Sequence, residues 1–213
     1  MKRRTLDVLF SAGGMVLAAL LVLAGIVLTS NANFANDYVT DQLTAQKIVF
    51  KPADQLTPEE RAQPCLVDYA GQQLTTGKQA ECYANNFIGL HLQSVADGKT
   101  YAELGAPQAA LREQVATAEE ANDPALPELQ AQLDQITGQR DTLFKGETLR
   151  GLLLTSFGFS EFGAKAAQAA TVAYIAAFVM FVLALAGFAH AAKTPETTAF
   201  APVDKPEREA TNV

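Results

Sequence analysis

Residues 8–29 read VLFSAGGMVLAALLVLAGIVLT, 22 positions without a charge, and residues 166–189 read AAQAATVAYIAAFVMFVLALAGFA, 24 positions without a charge. A helix crossing a hydrocarbon core about 30 Å thick needs about 20 apolar residues. Both stretches therefore read as transmembrane helices. The first could instead be a signal peptide, with Ser30 and Ala32 as a small-x-small cleavage site. Its apolar run exceeds the ~7–15 residues of a signal peptide, so it reads as an uncleaved signal anchor. The rest of the 213-residue chain is polar. Overall 49% of residues are hydrophobic and 18% are charged, with a mean hydropathy of +0.07. That mixture is expected of a few spans attached to one polar domain.

Lys2, Arg3 and Arg4 flank the first span, with Asp7 as the nearby acid. Positive flanks stay cytoplasmic. The expected organisation is a cytoplasmic flank (1–7), a first span (8–29), an extracytoplasmic domain (30–165), a second span (166–189) and a cytoplasmic tail (190–213). Both termini are then inside a cell membrane crossed twice. The outer domain has ten basic against eighteen acidic residues, so it carries −8 of the net charge of −7. That acidity argues against nucleic acid as a partner.

The outer domain reads as helical, which makes the expected fold class mostly α. Asn31–Ile48 continues the first span. Thr57-Pro58-Glu59-Glu60 is a helix start with a capping box, and Pro64 keeps that helix short. From Gly77 to Val95, Ala80, Ala84, Phe87, Ile88, His91 and Val95 share one face at helical spacing. Gly98 is a stop signal, and Thr100 with Glu103 forms a second capping box. Residues 107–121 and 127–144 read as antiparallel helices broken at Asn122-Asp123-Pro124, with Leu129, Leu133, Ile136, Leu143 and Phe144 as the apolar stripe of the second. No strand pattern exceeds Lys47–Phe50. The Pro-, Thr- and Glu-rich tail is expected to be disordered.

Residues 146–165 admit two readings: a second span that begins as a long helix outside the membrane, or an interfacial helix. Their apolar content is too high for an exposed loop. Leu149, Leu152, Leu153, Phe157, Phe159 and Phe162, with Ala166 and Ala170 of the second span, are the candidate residues for docking a membrane partner; packing against the chain's own outer helices is the alternative. Small-x-x-x-small patterns at Gly163/Ala167, Ala166/Ala170, Ala173/Ala177 and Gly14/Ala18 allow close helix approach. They would serve either pairing of the two spans or packing against a larger complex.

Chemistry-bearing residues are few. Cys65 and Cys82, in an oxidising compartment, are expected to form a disulfide. His91 and His190 fall on opposite sides of a membrane, so one haem cannot take both. No nucleophile elbow, phosphate loop or dinucleotide fingerprint occurs, and neither span contains a charge to carry ions. The expectation is a non-enzyme with no catalytic, cofactor or metal residues and no small-molecule substrate.

Four stretches carry a resemblance: Tyr69–Gln73 through Thr76-Gly77, Asn86–Leu92, Ala96–Tyr101 and Phe144–Leu154. They resemble a family of small two-span actinobacterial membrane proteins that includes respiratory supercomplex association factors. The resemblance covers roughly residues 69–104 and 143–157 and the two-span layout. It implies an accessory subunit of the assembly joining a cytochrome bcc complex to an aa3-type cytochrome c oxidase, with integral subunits of those complexes as partners. It supplies no haem, copper or iron–sulfur ligands. Apart from it, the residues allow a stand-alone envelope sensor or adaptor.

Overall fold

The computed structural model describes residues 2–195. Its elements are α1 (Arg3–Ala45), a 3-10 turn (Ala53–Gln55), α2 (Pro58–Arg61), α3 (Pro64–Asp68), α4 (Gly77–Cys82), a π-helical turn (Tyr83–Ile88), α5 (Gly89–Val95), α6 (Gly105–Ala121) and α7 (Leu126–Lys193). The fold is mostly α. α1 and α7 each contain a stretch long and apolar enough to cross a membrane. The chain forms two units, one from Met1–Ala32 with Lys165–Val213 and one from Asn33–Ala164. Disorder expected of the tail beyond residue 195 lies outside the described residues. Residues 190–193, read as the start of that tail, continue α7.

In the first unit the two spans pair antiparallel through small residues. Ser11, Ala18, Gly25 and Ala32 are buried on α1, and Ala170, Ala177, Ala184 and Ala191 on α7. Both series step by seven residues, the repeat that winds paired helices around each other left-handedly. The seam thus follows a heptad, whereas the sequence patterns step by four. Of the four patterns, Ala18, Ala170 and Ala177 reach the seam, while Ala167 is exposed. Ala170 is 3% exposed, so it packs within the chain's own helix pair. Close approach depends on missing side chains: a Cβ on Gly25 would fall 2.6 Å from the Tyr174 ring, and one on Gly187 would meet the Ser11 hydroxyl. Tyr174 Oη and Thr29 Oγ1 lie 3.3 Å apart at one end of the pair. Asp7 Oδ2 and His190 Nδ1 lie 3.0 Å apart at the other. Large apolar side chains such as Phe10, Leu23, Ile175 and Phe178 point outward, a distribution that fits helices long and apolar enough to cross a membrane.

The second unit has two apolar cores. Leu66, Leu74, Phe50, Ala80, Cys82 and Ala84 form the larger, joined by Val39 and Leu43 of α1 and Leu153 of α7. Leu92, Ala96, Leu104, Ile136 and Leu143 form the smaller. The start at Thr57 is as expected, with Thr57 and Glu60 exchanging side-chain and backbone hydrogen bonds. A further capping box, Thr76 with Gln79, starts α4. The Thr100–Glu103 box is also present, but it caps a turn, and α6 begins two residues later at Gly105. The Lys47–Phe50 strand reduces to one antiparallel bridge, Val49 to Gln73.

Two departures from the sequence reading are physical. Between Tyr83 and Ile88 the helix is π-wound, and the Gly89 N–H reaches back five residues to the Ala84 carbonyl. Of the expected stripe Ala80, Ala84, Phe87, Ile88, His91 and Val95, the extra residue per turn keeps Ala80 and Ala84 buried, leaves Phe87, Ile88 and Val95 half-buried against the cores, and buries Leu92 and Ala96. His91 is consequently exposed. Second, α7 does not stop at Phe144. It runs unbroken through residues 146–165, the long-helix alternative, and Gly146 admits the Leu92 side chain against its backbone.

Candidate functional site

α7 presents its apolar residues on different sides. Leu153 is 6% exposed, inside the larger core with Cys82 and Leu74. It is therefore a core residue of this chain that also lines the groove described below. Phe157 is half-buried, with the Lys78 ammonium 4.5 Å from its ring centroid. Leu149, Leu152 and Phe162 are open to the surroundings, Phe162 at 76%, and Ala166 is half-buried. Phe159 belongs to an aromatic cluster: its ring meets Tyr38 at 5.8 Å and Phe34 at 6.4 Å, both edge-on. Tyr38, Leu149, Leu152 and Phe159 border a groove of about 680 Å³ whose lining includes no charged side chain. The structure thus divides the expected docking set. Leu149, Leu152 and Phe159 border one exposed apolar groove, Phe162 is exposed further along α7, and Leu153 and Ala170 are largely buried. Phe34 and Tyr38, on the continuation of the first span, adjoin that groove through Phe159 and were not marked in the sequence as docking residues. Their stacking with one another at 5.9 Å follows from i, i+4 spacing on one helix.

Cys65 and Cys82 form the expected disulfide, tying α3 to the end of α4. Cys82 is buried in the larger core.

The most buried polar group is Glu60, with no exposed surface. Its carboxylate accepts from Lys51 Nζ at 2.7 Å and from the Thr57 N–H at 2.9 Å, and His91 Nε2 lies 3.2 Å away. His91 Nδ1 faces the Phe87 carbonyl oxygen at 2.7 Å. Burial alone would push the Glu60 carboxyl up. The Lys51 and Thr57 hydrogen bonds and the Lys51 and His91 charges outweigh it and hold the group below the usual carboxylate range. Burial, and then the Glu60 charge, raises the Tyr83 phenol. The cluster links the Thr57 turn to α5. A carboxyl with a lowered native pKa stabilises the fold above its unfolded value, and this contribution is lost as pH falls through the native value. Glu60→Gln should therefore cost about 2 kcal/mol at pH 7. The gap to the unaltered protein should close on acidification. Denaturation series between pH 7 and pH 3 check this; a gap independent of pH would refute it.

Among the described residues, no three His, Cys, Asp or Glu side chains converge as a metal site. His190 pairs with Asp7, so neither imidazole stands alone. What the second unit offers is an exposed apolar face bordering a groove. No family model matches the chain, and no curated protein and no solved structure matches it either.

Proposed function

We propose that the chain is a non-catalytic accessory subunit of a respiratory cytochrome bcc–aa3 oxidase supercomplex, contributing to its assembly or stability. In this reading it crosses the cell membrane twice with both termini cytoplasmic, and residues 30–165 are extracytoplasmic. The observation that carries it is the exposed apolar surface of Phe34, Tyr38, Leu149, Leu152 and Phe162. Exposed apolar surface of this kind marks interaction sites, and these residues lie on α1 and α7, the two helices long and apolar enough to span a membrane. The choice of complex rests on the resemblance in residues 69–104 and 143–157. The orientation is supported by the basic N-terminal flank and by the disulfide, which belongs in an oxidising compartment.

Affinity purification of the full-length chain in mild detergent tests the reading. Cytochrome b and oxidase haem absorbance should co-migrate with it. Migration free of haem would favour the stand-alone adaptor instead. Topology is checked separately. In a Cys-free background, single cysteines at Lys2 and Ala192 should label only after the membrane is opened, and one at Glu119 should label from outside. Labelling of Ala192Cys in intact cells would overturn the orientation.

A further inference from the structure

The π-wound turn, the turn after α5 and one side of α7 enclose a cleft of about 760 Å³ within the second unit. Leu92 and Leu143 give it an apolar floor, and Lys99, Glu147 and Arg150 are its charged residues. It is therefore net positive, inside a stretch of chain carrying −8. Arg150 is held on two sides. Its Nη1 donates to Glu147 Oε2 at 3.1 Å and its Nη2 to Asn85 Oδ1 at 3.2 Å. Its Nε is buried without an acceptor, and no other buried side-chain nitrogen or oxygen among the described residues shares that condition. Lys99 makes no ion pair within 4 Å among the described residues, its charge acting on Glu103 from beyond that distance. The wall beside Arg150 is Gly89, where an added Cβ would lie 3.6 Å from Nε and 3.4 Å from the Ala84 carbonyl oxygen.

These features have one explanation in common. A buried N–H without a partner costs more than a hydrogen bond returns, and π turns recur at functional sites. Here the π turn brings Asn85 to the guanidinium and sets the side-chain-free Gly89 beside it. A guanidinium offers a planar fork that matches the two oxygens of a carboxylate or phosphate, and the Lys99 ammonium lining the same cleft adds a second positive charge. We propose that this cleft binds a small ligand through a carboxylate or phosphate group held between Arg150 and Lys99, with the ligand's apolar part over Leu92 and Leu143. The site is separate from the apolar docking face and does not depend on the proposed membership of a supercomplex. The oxyanion can belong to a soluble molecule or to a lipid headgroup.

The test uses the purified full-length protein. Its melting temperature is followed in detergent against inorganic phosphate and acetate at constant ionic strength, with chloride as reference. It is followed again in nanodiscs of phosphatidylglycerol against phosphatidylcholine. A saturable rise with phosphate or acetate identifies a soluble ligand. A rise only with phosphatidylglycerol identifies a headgroup. In either arm, Lys99→Gln should weaken the response about tenfold or more. Arg150→Lys should do likewise, since it keeps the charge but loses the fork. Lys99 is exposed, so its variant folds even if the Arg150 variant does not. Absence of a saturable rise in both arms overturns the proposal, as does a Lys99→Gln protein that responds like the unaltered one.

Discussion

Replacing both Cys65 and Cys82 with alanine should lower the melting temperature of the second unit by about 10 °C, with membrane insertion unchanged. The bond closes a loop across a sequence separation of 17, and loops of that size restrict the unfolded chain by about 3 kcal/mol. For a unit of this size that corresponds to a shift of roughly 10 °C. Alanine at Cys82 also leaves less apolar bulk in the core beside Leu66 and Leu74, so the loss is not purely entropic. The insertion signals reside in residues 8–29 and 166–189, far along the chain from either cysteine. Calorimetry of the purified variant and alkaline extraction of membranes are the two measurements. A melting temperature unchanged within 1 °C, or two alkylatable thiols in freshly isolated membranes, would remove the bond from the account.

The second large effect concerns the exposed face. If the proposed membership of a supercomplex holds, Leu152→Ser together with Phe162→Ser should release the chain from that assembly while leaving it folded. Each of these side chains contributes roughly 1.5–3 kcal/mol when buried against a partner. Losing both should weaken association about 100- to 10,000-fold. Neither contributes to a core of this chain, so the melting temperature should stay near that of the unaltered protein. Leu153→Ser, one position away, should behave oppositely, since Leu153 lies in the larger core: it should unfold the second unit first. A double variant that still co-purifies in full amount would place the contact elsewhere.

Much of the architecture is written locally in the sequence. Uncharged runs of 22 and 24 residues give the spans, and the cysteines give the staple. Thr57-Pro58-Glu59-Glu60 specifies a helix start through hydrogen bonds that span three residues, so nothing distant is needed to read it. What escaped depends on contacts between distant segments. The π turn at Tyr83–Ile88 has no compositional mark. It exists where Ala80, Ala84 and Leu92 must all face inward, which a 3.6-residue period cannot arrange. The heptad of small residues was masked because an alanine-rich span offers small pairs at every spacing; the partner helix selects one. Which side of α7 is covered at Leu153 and bare at Leu152 depends on where α4 packs, with Gly77 against Phe157 and Ser160. The same applies to the cleft at Arg150, whose walls come from three separate stretches of chain.

The π turn has a consequence for how this chain tolerates changes in length. A π turn is an α-helix with one residue inserted, so the segments before and after it already sit as they would in a helix one residue shorter. Removing a single residue between Tyr83 and Ile88 should leave Ala80 and Leu92 on the inner side. The same deletion in α6 would turn every later side chain by about 100°. Related sequences are thus expected to differ from this one by a gap in that stretch. A shorter version that removed Asn85 itself would also lose the side chain that accepts from Arg150.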